Sequence, residues 1–409
     1  MNNIVLNPGQ ERVVNDAVNW YFNSSNQVFE ISGWAGVGKS VVLHEIINRI
    51  GLKKNEYMPM AYTGQAACVM RTKGFNNAKS IHSSLYELIK TEAKDYNNDP
   101  FSTRDIIFNT KKYCYTFRAI PPGMLPGYIK LFVIDEGYMV PNRMVKDILS
   151  HGIKVLVAGD SGQLPPIGDD PGFLVGDNVH YLTEIMRQEA NNPILYLAAR
   201  ARNGEPIHCG LYGSNALVIE DKDLTMDMIM NVGNIVCATN KTRDIYNNGV
   251  RKMRGFQSPY PQYTDKVICR ANNWDLSVDG IALCNGLTGY VVSPMGPERM
   301  SYGKRKNNIC MDFLPDLLQR PFLNLEVNKK YIVSNLEEKA KIKQSRFEEG
   351  ELFEFAYCLT THLSQGAEYP SGILIEEFLK PSIQNQLIYT GITRFKQYLI
   401  YVIKTKKYF

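Results

Sequence analysis

Residues 33–40 read Gly33-Trp34-Ala35-Gly36-Val37-Gly38-Lys39-Ser40, a G-x-x-x-x-G-K-S loop. That spacing grips a triphosphate. The loop, with Gly33, Ala35, Gly36 and Gly38, turns backbone N–H groups inward on phosphate oxygens. The following helix adds the partial positive charge of its N-terminus. Lys39 is then expected to reach the β- and γ-phosphates, and Ser40 to ligate Mg²⁺. The flanks agree: Val28-Phe29-Glu30-Ile31-Ser32 is a β-prone run, and Val41 to Ile47 continues as a helix with an apolar face.

Two further strand ends carry chemistry. Leu131-Phe132-Val133-Ile134 runs into Asp135-Glu136. The aspartate is placed to hold Mg²⁺ and the glutamate to polarise an attacking water. Val155-Leu156-Val157-Ala158 runs into Gly159-Asp160-Ser161-Gly162-Gln163-Leu164-Pro165-Pro166, where Gln163 can sense a γ-phosphate. Taken alone, this loop also reads as a proline-stiffened turn. In open α/β sheets ligands bind at the carboxyl ends of strands, so residues 33, 135 and 160 are expected to share a crevice. Arg187 and Arg394 are candidates to meet charge developing on the phosphoryl group from a second domain. A salt-bridged surface arginine is the alternative for each.

Positioning these groups requires parallel sheets covered by helices. Residues 1–85 alternate helix and strand, with a second strand at Met58 to Thr63 and a helix opening at Gln65. The rhythm breaks over residues 86–127. There Asp105 to Ile120 reads as an inserted β-hairpin around Asn109-Thr110-Lys111-Lys112, or equally as a surface excursion. A second α/β region begins near residue 188. Residues 258–352 are turn-rich and strand-like, and the α/β pattern returns at Phe353-Glu354-Phe355-Ala356-Tyr357. The expected fold class is α/β, with two P-loop-type domains. Residues 1–185 form the first, with an insert at about 86–127. Residues 186–257 and 353–409 form the second, and 258–352 is a β insertion within it.

Bulk properties bound the rest. A chain of 409 residues with 44% apolar side chains can form several cores. Its eight cysteines form no C-x-x-C pair, which argues against zinc and disulfides and fits a reducing cytoplasm. No apolar run approaches the ~18 residues of a membrane span. Residues 1–7 lack the basic start and apolar stretch of a signal peptide. The net charge of +5 permits a polyanionic partner, and 24 tyrosines among basic residues suit stacking on unpaired bases.

The order of these motifs resembles superfamily 1 type B DNA helicases of the RecD/Dda/Pif1-like branch. Leu6-Asn7-x-x-Gln10 is similar to the adenine-reading Q motif. Ala61-Tyr62-Thr63-Gly64-Gln65-Ala66-Ala67 resembles motif Ia, and Ser80-Ile81-His82 motif Ib. Asp135-Glu136 matches motif II, the Gln163 loop motif III, and Leu182-Thr183-Glu184-x-x-Arg187-Gln188 motif IV. Cys237-Ala238-Thr239-Asn240 resembles the T-N strand end, and Asn285-Gly286-x-x-Gly289-Tyr290-Val291 the SH3-like insert. Leu359 to Glu368 resembles motif V, and Tyr389-Thr390-Gly391-Ile392-Thr393-Arg394 motif VI.

The resemblance implies two RecA-like domains clamping ATP, with Gln10, Gly366 and Glu368 joining the phosphate loop around the nucleotide. It implies single-stranded DNA running across both domains. Tyr62, Thr63, Gln65, His82, Asn240, Asn285, Thr361 and His362 are the positions expected near the strand. The hairpin, with Phe108, Tyr113, Tyr115 and Phe117, is the candidate pin at a fork; packing of a small subdomain accounts for those aromatics equally well. A monomeric 5′→3′ unwinding motor follows, with single-strand-binding or replisome proteins as further partners.

The chain departs from the family at three places. Tyr62 and Gln65 stand where motif Ia carries proline and lysine, motif II continues as Gly137-Tyr138, and Leu363 replaces a lysine of motif V. The lost lysines keep open an ATPase that translocates or remodels without unwinding. A GTPase-like switch is a weaker alternative: Asn240-Lys241-Thr242-Arg243-Asp244 is one residue too long for a guanine-reading motif.

Overall fold

The computed structural model describes residues 5–92, 106–109, 113–184, 191–292, 308–344 and 350–404. Its first sheet holds six parallel strands in the order Lys79–Ser80, Tyr57–Ala61, Leu131–Asp135, Lys154–Gly159, Val28–Gly33 and Val179–Leu182. Leu131–Asp135 is buried throughout, as expected of a strand covered on both faces. Ser32 lies opposite Gly159, and Ile134 opposite Val157. Residues 33, 135 and 160 therefore emerge side by side at one edge.

Local chemistry explains the helices that frame this edge. Asn7 caps the helix Pro8–Asn23 and forms a capping box with Gln10, while Pro8 presets the first turn. Val13, Val14, Ala17 and Trp20 point from that helix into the core. The helix Lys39–Ile50 starts at Gly38, whose φ of 78° suits only a residue without a Cβ, and stops at Gly51, with φ of 80°.

The second sheet runs Gly210–Tyr212, Ala216–Glu220, Phe395–Ile403, Tyr369–Ile375, Ile235–Cys237 and Cys358–Thr360. Its pairs are parallel except the first. The two parallel sheets with flanking helices make a two-domain RecA-like α/β fold.

Three smaller sheets complete the described residues. An antiparallel sheet joins Phe322–Asn328, Asn308–Pro315, Thr288–Val291, Lys266–Cys269 and Phe353–Phe355. Asn308–Pro315 nearly alternates buried and half-buried positions, as a one-sided strand should. The sequence pattern groups Phe353–Phe355 with the returning α/β region. Instead it pairs with Lys266–Cys269, because its apolar side chains complete the core containing Phe313 and Phe353. The hairpin expected over 105–120 is present as Ile106–Asn109 against Tyr113–Ala119, and Tyr86–Glu92 adds a third strand that the sequence reading lacks. A two-stranded ribbon, Asn273–Val278 with Ile281–Leu283, projects beside it.

Candidate functional site

The three strand ends open into a crevice of about 370 Å³ between the two parallel sheets. From the first sheet's side come Trp34, Ala35, Gly36, Gly38, Lys39, Ser40, Asp135, Glu136 and Gln163; from the other side come Glu368, Thr393, Arg394 and Lys396. The loop glycines are needed where they stand. Gly36 and Gly38 have positive φ, and a Cβ on Gly33 would meet Val37 Cγ2 at 2.7 Å.

Lys39 Nζ donates to Gly33 O at 2.7 Å and to Trp34 O at 3.2 Å, resting on carbonyls of its own loop. Glu136 sits in the left-handed region at φ 53°, an uncommon backbone for a side chain of this kind. Its N–H donates to Asp135 Oδ1, and burial together with the Asp135 carboxylate pushes its pKa up, against Arg394, Lys39 and Lys73. Arg394 is buried. It donates to Gln163 Oε1 at 3.1 Å, to Ala367 O and to Thr390 O. Leu164 N donates to Thr390 Oγ1, and Gln365 Nε2 to Leu164 O, so the Gln163 loop is bonded to the second sheet's helix and loop.

Gln10 reaches the same loop by another route. Its Nε2 donates to Val37 O at 2.9 Å while its Oε1 accepts from Asn7 N. Gln10 thus ties the helix cap at Asn7 to the phosphate loop, one end of its amide on each. Gly366, at φ 76°, packs against Ala66, where a Cβ would approach the Ala66 Cβ at 2.7 Å.

The structure adds partners that the sequence reading missed. Lys73 Nζ meets Glu368 Oε1 at 2.8 Å, and Lys396 Nζ meets the same oxygen at 3.5 Å. Burial raises the Glu368 pKa, but Lys396 and Lys73 outweigh it and hold the carboxyl at about 2. Burial lowers Lys73, but Asp135, Glu368 and Glu136 hold it above its ordinary value. Asp160 accepts from Arg202, from the Tyr389 hydroxyl and from Gly162 N. That hydroxyl accepts in turn from Ala35 N at 3.2 Å, and the Arg202 guanidinium lies 5.0 Å from the Trp34 ring centroid. No motif spacing marks Lys73, Arg202 or Lys396.

Could the crevice hold Mg²⁺? No group of three or more His, Cys, Asp or Glu able to hold a metal occurs among the described residues. A magnesium ion, however, usually takes one or two protein ligands and completes its octahedron with phosphates and water. Ser40 and the buried Asp135, both lining the crevice, fit that pattern.

The residues expected near a strand divide. His82 stacks among Tyr62, Tyr86 and Phe117, with ring centroids 6.1, 5.3 and 4.8 Å away. Burial and Arg143 press its pKa down to about 4, so it is neutral at pH 7. Thr63 caps the helix Gly64–Thr72 by accepting from Ala66 N. Gln65 is buried, and its Oε1 has no hydrogen-bond partner among the described residues. Asn240 and Asn285 are exposed. Thr361 is 1% exposed and donates to Cys237 O, which puts its side chain beneath the surface rather than on it. His362, next to it, is half-buried. Phe117 packs against Trp274 at 5.0 Å, within an aromatic cluster. Phe108 lies in the strand Ile106–Asn109, and its side chain, with those of Tyr113 and Tyr115, falls outside the described residues; so does Arg187. Glu377, also missed, accepts from Ala238 N, Thr239 N and both threonine hydroxyls at 239 and 242, fixing the strand end before Asn240.

A family model described as an AAA domain matches residues 5–223, more than half the chain. The chain belongs to the AAA domain family. Its motif order resembles that of the RecD/Pif1-like branch of superfamily 1, and curated relatives similar to it carry those names. It is 28% identical over 215 residues to the ATP-dependent DNA helicase Pif1 of Psychrobacter, a match covering 49% of the chain and 27% of that protein. It is 26% identical over 285 residues to the ATP-dependent RecD2 DNA helicase of Deinococcus radiodurans, covering 66% of the chain and 36% of the relative. The matched region thus spans well under half the length of either. Among solved structures, the Pif1 helicase from Bacteroides in complex with ADP-AlF3 and ssDNA shares the fold, with TM-score 0.54 and 15% identity over 98% of this chain and 92% of that one. Among the described residues no helix is long and apolar enough to cross a membrane.

Proposed function

We propose that this chain is an ATP-dependent DNA helicase. ATP is hydrolysed in the crevice between the two RecA-like domains, and each cycle advances the protein along single-stranded DNA, 5′→3′, into a duplex. The observation that carries this reading is the meeting of Lys39, Glu136 and Gln163 from one sheet with Arg394 from the other around one crevice.

The roles follow from placement. Lys39 and the loop N–H groups bind the β- and γ-phosphates once Lys39 leaves its carbonyl partners. Glu136 accepts the proton of the attacking water. Arg394 meets the charge that develops on the γ-phosphoryl oxygens, and Gln163 reports the phosphate's presence to the second domain through the Arg394 bond. Ser40 and Asp135 would hold Mg²⁺, which would neutralise charge on the phosphates. Glu368 and Gly366 flank the nucleotide, Gln10 sets the loop that receives it, and Arg187 supplies a second cation. Residues 1–185 act as the first domain, 186–257 with 353–409 as the second, and 258–352 as the insertion, whose sheet also takes the strand Phe353–Phe355. Partners are single-stranded and forked DNA, with single-strand-binding or replisome proteins beyond them. The working unit is a monomer and the compartment is the cytoplasm.

The relatives' names, as ATP-dependent DNA helicases, support the reading. The packing of Phe117 within an aromatic cluster favours the second reading: a strand-stimulated translocase that parts no duplex. One experiment separates them. ATPase is measured with and without oligothymidylate, beside unwinding of forks carrying only a 5′ or only a 3′ tail. Stimulated ATPase with unwinding from the 5′ tail is expected. Stimulated ATPase without strand separation selects the translocase, and ATPase indifferent to DNA sinks both.

A further inference from the structure

Trp274 stands on the ribbon Asn273–Val278 and lines two recesses at once. One, of about 350 Å³, lies between the helix Gly64–Thr72 and the ribbon; the other, of about 210 Å³, lies between His82, Phe117 and the ribbon. Only Ser83 and Trp274 line both, so the half-buried indole forms the partition between them.

The larger recess has the chemistry of a polyanion cleft. Arg71, Lys79, Ser80, Ser83 and Ser277 line it, and no carboxylate does. Lys79 and Ser277 are exposed and able to meet phosphate oxygens, while the Ser80 and Ser83 hydroxyls bond one another at the rim. The partition is also held firmly. Arg71 reaches across to the ribbon's turn, donating to Asp279 O at 3.1 Å and Gly280 O at 2.9 Å, and the Phe117 ring meets Trp274 at 77° and 5.0 Å. A rigid aromatic face beside cations and hydroxyls is the arrangement that binds unpaired strands without reading sequence. The recesses continue the surface already assigned to a strand: Gly64 follows Thr63, Ser83 follows His82, and Cys284, which lines the larger recess, precedes Asn285.

We propose that Trp274 is a base-stacking residue, over which an unpaired nucleic-acid strand passes with a base entering the recess on each side. This rests on the strand-motor reading above and assigns it a contact in the insertion that no motif marks. Lys79 and Ser277 hold the backbone, and the indole separates consecutive bases as a sequence-tolerant wedge.

The test measures the affinity of fluorescein-labelled oligothymidylate, and of a strand with abasic residues in place of the bases, for wild type, Trp274→Ala and Trp274→Phe. Far-UV circular dichroism and thermal melting check that each variant is folded. Loss of one or two stacked bases should weaken thymidylate binding by Trp274→Ala about 10- to 100-fold, while Trp274→Phe stays near wild type. On the abasic strand all three proteins should bind alike. Wild-type affinity of Trp274→Ala for thymidylate overturns the proposal, and so does an equal loss on both strands, which marks a structural role. A wild type that binds no strand at all overturns the motor reading as well; wild-type binding with a silent Trp274 overturns this proposal alone.

Discussion

Arg394 Nη2 donates to Gln163 Oε1 at 3.1 Å, joining residues 231 positions apart across the seam of the two RecA-like domains. The bond places the buried Arg394 guanidinium of the second sheet's side against the Gln163 amide of the first.

Arg394→Ala should therefore separate binding from turnover. ATP affinity, read with a fluorescent analogue, is expected to change little, while kcat falls by about 10³-fold or more. Lys39→Ala should abolish hydrolysis. Wild-type turnover in either variant would remove that residue from the chemistry.

The Asp160 carboxylate is held by Arg202 and Tyr389 with no side-chain exposure of its own. Arg202→Ala should cost about 3 kcal/mol of stability, because a buried charge loses its counter-ion. Tyr389→Phe keeps the ring 5.2 Å from the Arg202 guanidinium and removes only the hydroxyl, for about 1–3 kcal/mol. Urea unfolding reads both. A neutral Arg202→Ala would mean that the domains separate readily in solution.

Glu368 gives a pH signature. Its folded pKa of about 2 lies below the ordinary 4.5, so its ion pairs add stability that is fully present above pH 4.5 and is lost as pH falls towards 2. Glu368→Gln should lower the urea midpoint at pH 7, and the gap to wild type should close on descending through pH 4 and 3. A gap independent of pH would show that Lys73 and Lys396 do not hold this carboxylate.

Gly64 tests how the insertion docks. A Cβ there would lie 2.0 Å from Cys284 Sγ and 2.7 Å from its Cβ. Gly64→Ala should destabilise by about 1–3 kcal/mol, as overpacking does. Gly64→Ala with Cys284→Ala should recover part of the loss, since only the sulfur is removed. No recovery would place the strain elsewhere.

Much of this molecule is written locally. The phosphate loop, the capping box at Asn7 and Gln10, the apolar strands and the polar residues at their ends depend on neighbours a few positions away. From these follow the two sheets, the hairpin as one of two readings, and strand ends that emerge side by side; of residues 33, 135 and 160 only Asp135 lines the crevice itself. The tertiary structure decided what distance in sequence hides. Lys73 and Glu368 are 295 residues apart, Arg202 and Asp160 42, and a lysine or arginine carries no mark of its distant partner. The strand Phe353–Phe355 has the same apolar character whichever sheet accepts it, and only the pairing edge at Lys266–Cys269 settled the choice. Trp274 likewise reads as one more aromatic until Phe117 and Arg71 fix it between two recesses. Periodicity and capping are short-range and survive in one dimension; ion pairs, sheet edges and cavities are made only when the chain closes on itself.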